Sequence, residues 1–255
     1  MSAIRRHEMI MEQLLLRRSV TVNELSALLG VTGKTIRDDL GELEAKGLLA
    51  RVHGGAVLAR ESDAGLLPSR APNTKALAEK ARVAKMALTH VEEGDVIALD
   101  GGGTTLEMAR QLGNMPLTVI TNDLFIISEL VHKDNIRLVV PGGFRSRNLL
   151  VGESTAGFIR KLNVGKSFVS TTGIHLEYGL SIYTSALAEP KRVLIECARS
   201  VYCVADHGKF DKSALITFAR CDEIGLFVTD PGLPPDIAAK YAAAGIRIQS
   251  SSEGK

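Results

Sequence analysis

The sequence has little excess charge of either sign, few cysteines and no long hydrophobic run, and each of these narrows its class. Lys and Arg number 31 against 29 Asp and Glu, a formal net charge of +2, so the sum alone points to no partner. Cys197, Cys203 and Cys221 are odd in number and form no C-x-x-C pair, which argues for a reduced, cytoplasmic chain with buried thiols. No apolar run approaches the ~20 residues needed to cross a hydrocarbon core. Met1–Glu8 has no apolar core behind its charges, so neither a membrane span nor export is expected. The six histidines make no H-E-x-x-H and none sits at zinc spacing from a cysteine, and there is no G-x-S-x-G elbow; no metal or cofactor is expected.

What is present is a globular composition, 45% hydrophobic and 24% charged over 255 residues, enough for one large domain or two modest ones. Residues 1–60 carry 9 Lys/Arg and 7 Asp/Glu, the rest 22 of each, so the whole excess lies at the front. That front reads as three helices and a hairpin. A helix over about Ile4–Arg18 stops at Ser19-Val20-Thr21, and Thr21-Val22-Asn23-Glu24 spells a capping box for a second helix that Gly30 ends. Thr32 caps a third, with Ile36, Leu40 and Leu43 inward and Gly33, Lys34, Thr35, Arg37, Asp38 and Gly41 outward. Two extended pieces, Leu48–Val52 and Ala56–Leu58, turn through His53-Gly54-Gly55.

Two helices, a glycine turn, a third helix and a hairpin make a winged helix-turn-helix. Its third helix suits the major groove. Lys34 and Arg37 are placed to neutralise phosphate or donate to guanine, Thr32 and Thr35 to bond phosphate oxygens, and Arg51 and His53 to touch the neighbouring backbone. Thr21, Gly33, Asp38 and Gly54 complete the expected DNA surface. The alternative is a helical protein-interaction module with a solvated polar face.

The run Val20–Leu25, then Gly30–Leu40, then Leu43–Ala56 resembles the DeoR family of bacterial transcriptional regulators, whose habit is V-S-x-x-T-I-R-R-D-L followed by L-x-x-x-G-x-L-x-R-x-H-G-G-A. Asp38 stands where the family usually has a second Arg, and a carboxylate there accepts from cytosine N4 and repels phosphate. Asp38 is therefore expected to tune which operator is read.

Residues 59–73, with Pro68, Ser69, Pro72 and Asn73, read as a linker between a 1–58 DNA-binding domain and a 74–255 sensing domain. Beyond it, strand-like runs at Val96–Leu99, Leu117–Thr121, Ile136–Val140, Lys166–Ser170, Val201–Ala205, Ile224–Thr229 and Ile246–Gln249 alternate with helical ones at Thr105–Leu112, Leu124–His132, Thr155–Leu162, Ala186–Ala198 and Asp236–Ala244. The fold class is α/β, with a mostly parallel sheet covered on both faces.

In such sheets ligands bind outside the carboxyl ends of the strands. Asp100-Gly101-Gly102-Gly103-Thr104-Thr105 follows a strand and opens a helix, a plausible phosphate cradle from Gly102, Gly103, Thr104 and Thr105 or a merely structural turn. Thr121 and Asn122, Gly142 and Gly143, Thr172, Gly173 and Ile174, and Asp206 to Phe210 end later strands and are expected to converge with it. Lys209 is the cation expected for phosphate, with Lys191 and Arg145 as further candidates; Asp100 and Asp206 are expected to accept from sugar hydroxyls. Asp206 beside His207 is the one acid–base pair considered.

These loops match the family's second half, D-x-G-x-T-T, T-N, G-G, G-I and D-x-x-K-F in order, which is similar to the ribose-5-phosphate isomerase and coenzyme A transferase-like fold. Gly101 for Ser, Ser170 for Gly and Gly208 for Ser are departures. The resemblance implies a phosphorylated sugar or polyol as effector, double-stranded operator DNA as partner, and a repressor of a carbohydrate-utilisation operon working as a homo-oligomer, dimer or tetramer. The rival is a sugar-phosphate isomerase or transferase-like enzyme.

Overall fold

Each of the first three helices has its own start and stop. In the computed structural model, which describes residues 1–58 and 76–250, Ser2 caps α1 (Ala3–Arg17) and Arg18 ends it in the left-handed region at φ 67°. Both halves of the capping box form on α2 (Val22–Leu29): Glu24 N donates to Thr21 Oγ1 at 3.2 Å and Thr21 N to the Glu24 carboxylate at 2.9 Å. Thr32 caps α3 (Gly33–Ala45) by accepting from Thr35 N at 3.2 Å.

Ser19–Thr21, expected only as a break, forms strand β1. It pairs antiparallel with β3 (Gly55–Leu58), which pairs in turn with β2 (Leu49–Val52). Three residues are too few to show an alternation of apolar and polar positions. Gly55 is what lets β1 approach, since a Cβ there would lie 2.0 Å from the Val20 carbonyl oxygen.

Ile10, Leu14, Leu25, Ile36, Leu40, Leu43 and Leu49 fill the head's core. Asp39, the other carboxylate of the Asp38-Asp39 pair, is buried. Arg6 Nε and Nη2 each donate to it at 2.8 Å and His7 Nε2 lies 3.1 Å away, so it staples α3 to α1 instead of facing solvent. One residue of this core comes from far along the chain: Tyr183, 2% exposed.

The linker expected at 59–73 lies outside the described residues. After it come α4 (Leu77–Leu88), β4 (Val96–Leu99), α5 (Gly103–Gln111), β5 (Leu117–Ile120), α6 (Leu124–Leu130) and β6 (Ile136–Val139). The hairpin β7 (Phe144–Ser146) and β8 (Leu149–Val151) precedes α7 (Glu153–Ile159) and β9 (Val164–Val169). Then follow β10 (Gly173–His175), β11 (Gly179–Ile182), α8 (Ser185–Glu196), β12 (Ala198–Val204), β13 (Ile216–Ala219), β14 (Leu226–Val228), α9 (Pro235–Ala243) and β15 (Ile248–Gln249).

All seven expected strands join one sheet, ordered β15-β14-β12-β9-β4-β5-β6, with every neighbouring pair parallel. Alternation along β4 sends Ile97 and Leu99 to the face covered by α4, α5 and α6, and Ala98 to the face covered by α7 and α8. Not foreseen were α4, the β7–β8 hairpin and the antiparallel sheet β10-β11-β13. Every residue of β11 is buried, so it carries no alternating signal.

Gly55→Ala is expected to destabilise the head by about 1–3 kcal/mol through overpacking against β1. A thermal melt followed by circular dichroism checks it; an unchanged melting temperature would contradict the close approach.

Candidate functional site

The chain leaves β4 toward β5 and β6 on one side, then returns to place β9, β12, β14 and β15 on the other. The loops after the neighbouring strands β4 and β9 therefore diverge and leave a crevice between them. Gly101–Thr104 after β4, Ser170–Thr172 after β9, and Ala205, Asp206 and Lys209 after β12 wall a narrow cavity of about 50 Å³. Lys191 of α8, Ile182 of β11 and Lys80 of α4 close it.

Gly102 caps α5, the first amides of a helix have no partner inside it, and Gly102, Gly103 and Thr104 of that turn line the cavity. A side chain at Gly102 is impossible without movement, because its Cβ would lie 2.0 Å from Ser170 Oγ. Asp100 is buried, its Oδ2 accepting from Ser170 N at 2.8 Å, from Ser170 Oγ at 3.2 Å and from Lys191 Nζ. Lys191 Nζ also donates to Ser170 O at 2.9 Å. Asp100 Oδ1 has no hydrogen-bond partner among the described residues, and neither does Lys80 Nζ. Lys80 is 6% exposed; burial, with the nearby positive charge of Lys209, lowers its ammonium to a pKa of about 8.

Of the expected effector residues, the structure brings Gly102, Gly103, Thr104, Thr172, Lys191, Asp206 and Lys209 to the cavity, with Asp100 directly behind. The others serve the scaffold around it. Thr105 Oγ1 donates to Asp100 O at 2.8 Å and shapes the turn. Thr121 Oγ1 accepts from Asp123 N at 3.2 Å, and Asn122 Nδ2 donates to Leu150 O at 2.9 Å, holding the β7–β8 hairpin. Gly142 O accepts from Thr155 Oγ1, and Gly143 packs against Val151 and Thr155. Arg145 is exposed, its Nε donating to Arg147 O at 2.8 Å. Gly173 and Ile174 belong to β10, Ile174 being fully buried. The loops after β5 and β6 lie at the right end of the sheet but on the far side of the point where the chain diverges.

His207 does not pair with Asp206; its Nδ1 lies 2.8 Å from Asp230 Oδ2. The three thiols are free, with Cys203 and Cys221 buried and Cys197 half-buried; burial raises Cys221 to a pKa of about 11.

Lys80 is the residue that sequence reasoning missed. Its signal was legible: Lys80, Val83, Ala84 and Ala87 follow 3.6-residue spacing, which places a lysine in the buried stripe of α4. A larger groove of about 560 Å³ lies at the opposite ends of the strands, lined by residues such as His90, Arg192, Arg199 and Arg247. There Arg192 is already paired with Glu196 and Glu223.

On the head, Thr32, Lys34, Arg37 and Asp38 are exposed along the first turns of α3, and Gly33 and Thr35 are half-buried between them. Arg51, His53 and Gly54 are exposed on the wing, and Arg51 N donates to Glu44 Oε1 at 2.8 Å, tying the wing to α3. Thr21 is also exposed, but its hydroxyl is spent on the α2 cap. Among the described residues, no group of side chains is arranged to hold a metal ion, and no helix is long and apolar enough to cross a membrane.

The Lys80 ammonium has a testable cost. Its folded pKa of about 8 lies below the ordinary lysine value of 10.5, so burial disfavours the protonated form. The fold thus gains stability relative to the unfolded chain as pH rises from about 8 toward 10.5, and carries the full penalty below about 8. Lys80→Met is expected to melt a few degrees higher than the parent at pH 7, with the gap closing toward pH 10.5. Melting curves that stay parallel across that range would refute an unpaired ammonium here.

Comparison with known proteins follows the same division of the chain. Residues 6–62 match the DeoR-like helix-turn-helix domain and residues 75–231 the DeoR C-terminal sensor domain. The transcriptional repressor AccR of Agrobacterium fabrum is 33% identical over 94% of this chain and 96% of its own length. The L-fucose operon activator of Haemophilus influenzae is 32% identical over 91% and 94%, and the regulator IolR of Bacillus subtilis 32% identical over 87% and 89%. Among solved structures, ribose 5-phosphate isomerase A of Methanocaldococcus jannaschii aligns over 55% of this chain and 56% of its own at 19% identity and a TM-score of 0.41, too distant to carry an argument. With a helix-turn-helix domain in front and a sensor-type α/β unit behind, the chain belongs to the DeoR family of DNA-binding transcriptional regulators.

Proposed function

We propose that the crevice between β4 and β9 receives the phosphate of a phosphorylated sugar or polyol, and that its occupancy sets the affinity of a carbohydrate-operon repressor for its operator. The observation that carries this is the buried, unpartnered Lys80 ammonium facing the glycine turn. A buried ammonium with no hydrogen-bond partner is costly, Asp206 and Glu107 acting on it only through space, and a phosphate supplies a direct partner. The open amides of α5 and the Lys209 charge supply the remaining donors. Asp100 Oδ1 and Asp206 are the acceptors for hydroxyls of the same ligand. The relatives, an L-fucose operon activator among them, agree with a carbohydrate signal.

The crevice senses without turnover. Asp206 and His207, adjacent in the chain, do not form an acid–base pair, and His207 is engaged by Asp230. On the DNA side, paired heads on a homo-oligomer match repeated half-sites. Lys34 and Arg37 meet the duplex from α3, Thr32 and Thr35 bond phosphate at its N-terminus, and Arg51 and His53 follow from the wing. Asp38 biases the choice of operator.

Sugar and polyol phosphates are expected to raise the melting temperature where the unphosphorylated sugars do not, and Lys209→Ala to abolish that rise while leaving operator affinity intact. Equal stabilisation by phosphorylated and free sugars would overturn the phosphate site, and isomer formation detected by chromatography would replace sensing with catalysis. For the head, Arg37→Ala is expected to weaken operator binding by about 1–3 kcal/mol. Lys34→Ala is expected to lower the salt slope of log K by about one. Unchanged binding isotherms for both variants would remove α3 from the interface.

A further inference from the structure

Two elements that wall the crevice also enter the DNA-binding head. β11 presents Ile182 to the cavity, and the next residue, Tyr183, plugs the head's core, with Ala214 and Leu215 packed beside it. α8 begins immediately afterwards. Its cap residue Thr184 makes no side-chain bond to the helix; instead Ser185 N donates to Glu8 Oε1 of α1 at 3.2 Å, and Glu8 is itself buried. A carboxylate at that end is favoured by the helix dipole. Further along the same helix, roughly 9 Å away at 1.5 Å rise per residue, Lys191 reaches into the crevice and bonds Asp100 and Ser170.

The β7–β8 turn makes a second strut. Leu149 lies against Gly101, while Arg147, half-buried with one guanidinium nitrogen unpartnered among the described residues, feels the opposing charge of Glu12 on α1. Thr172 also belongs to both sides, lining the crevice and a cleft of about 440 Å³ whose other wall includes Lys46 and Leu48 of the head.

We propose that α8, with the Ile182–Tyr183 step, is the mechanical link between the sensing crevice and the DNA-binding head, Lys191 setting at one end where Glu8 and Tyr183 seat the head at the other. This rests on the reading above for what fills the crevice. A phosphate ester competes with the Asp100 carboxylate for Lys191. An ammonium drawn off Asp100 carries α8 with it, and the seat of α1 on Ser185 and Tyr183 shifts. The ligand acts through its different affinity for the two seats, and the same coupling lets operator DNA alter the crevice.

The test needs no ligand. Asp100→Asn removes the charge that holds Lys191, and Glu8→Gln removes the charge at the far end of α8. Operator affinity of the full chain is measured for the parent, each variant and the double variant, using duplex from upstream of its own gene. Distant, independent sites give fold-changes that multiply. The expected result is that Asp100→Asn changes affinity at least about threefold in the parent and less than about 1.5-fold in the Glu8→Gln background. Equal fold-changes in both backgrounds, including no change in either, would overturn the link. Should Asp100→Asn fail to fold by circular dichroism, Ser170→Ala, which removes one Lys191 contact, takes its place with the same expectations. Because the cycle contains no effector, its failure leaves the phosphate reading standing, and a missing response to phosphate esters leaves the cycle standing.

Discussion

Between β4 and β9 two neighbouring parallel strands send their chains to opposite sides of the sheet, and the shape of the sensing unit follows from that divergence. No side chain has to carve the crevice. It exists because two loops cannot cover the ground they both leave, and the residues ending β4, β9 and β12 become its walls. The glycines after β4 keep those walls close, since the Gly102 backbone rests against the Ser170 hydroxyl where any larger residue would collide.

Polar satisfaction singles out two charged groups at the crevice. Buried polar groups in folded proteins are nearly always hydrogen-bonded, so exceptions need an explanation. Thr105, Thr121, Asn122 and Asp123 each spend their polar atoms on local turns and caps. Lys80 Nζ, which lines the crevice, and Asp100 Oδ1, just behind it, do not; nor do Ser167 Oγ, Thr229 Oγ1 and one Arg147 nitrogen, which lie away from its lining. The opposite charges of Lys80 and Asp100 suit a ligand that is anionic at one end and carries hydroxyls elsewhere, which is the chemistry of a sugar or polyol phosphate. Asp39 makes the contrast on the head: as deeply buried as Asp100, it is fully engaged by Arg6 and His7 and serves to hold the recognition helix in place.

The head is not an independent bead on a string. Tyr183 completes its core and Glu8 sits on the first amide of α8, so the surface that presents Lys34 and Arg37 is registered against the sensing unit through buried contacts. A regulator needs some such contact. A ligand that touched only one unit, with nothing shared between the two, would have no differential affinity with which to alter operator binding.

Local patterns were legible over most of the chain. A capping box, an N-cap threonine, glycine stops and the order of apolar runs foretold α1 to α3, the wing and every strand of the parallel sheet, because those signals arise from a few neighbouring residues. Three-residue strands such as β1, and β11 with every position buried, left no period to read. The helix α4 was passed over although Lys80 sat in its apolar stripe. By itself the sequence determined the family, the winged head and the strand-end loops that carry polar chemistry. Which of those loops share a crevice was decided only by tertiary structure, because strand order in the sheet depends on how distant segments pack. That order brought Lys80, Lys191 and Lys209 to one place and left Thr121, Asn122 and Gly142 outside it.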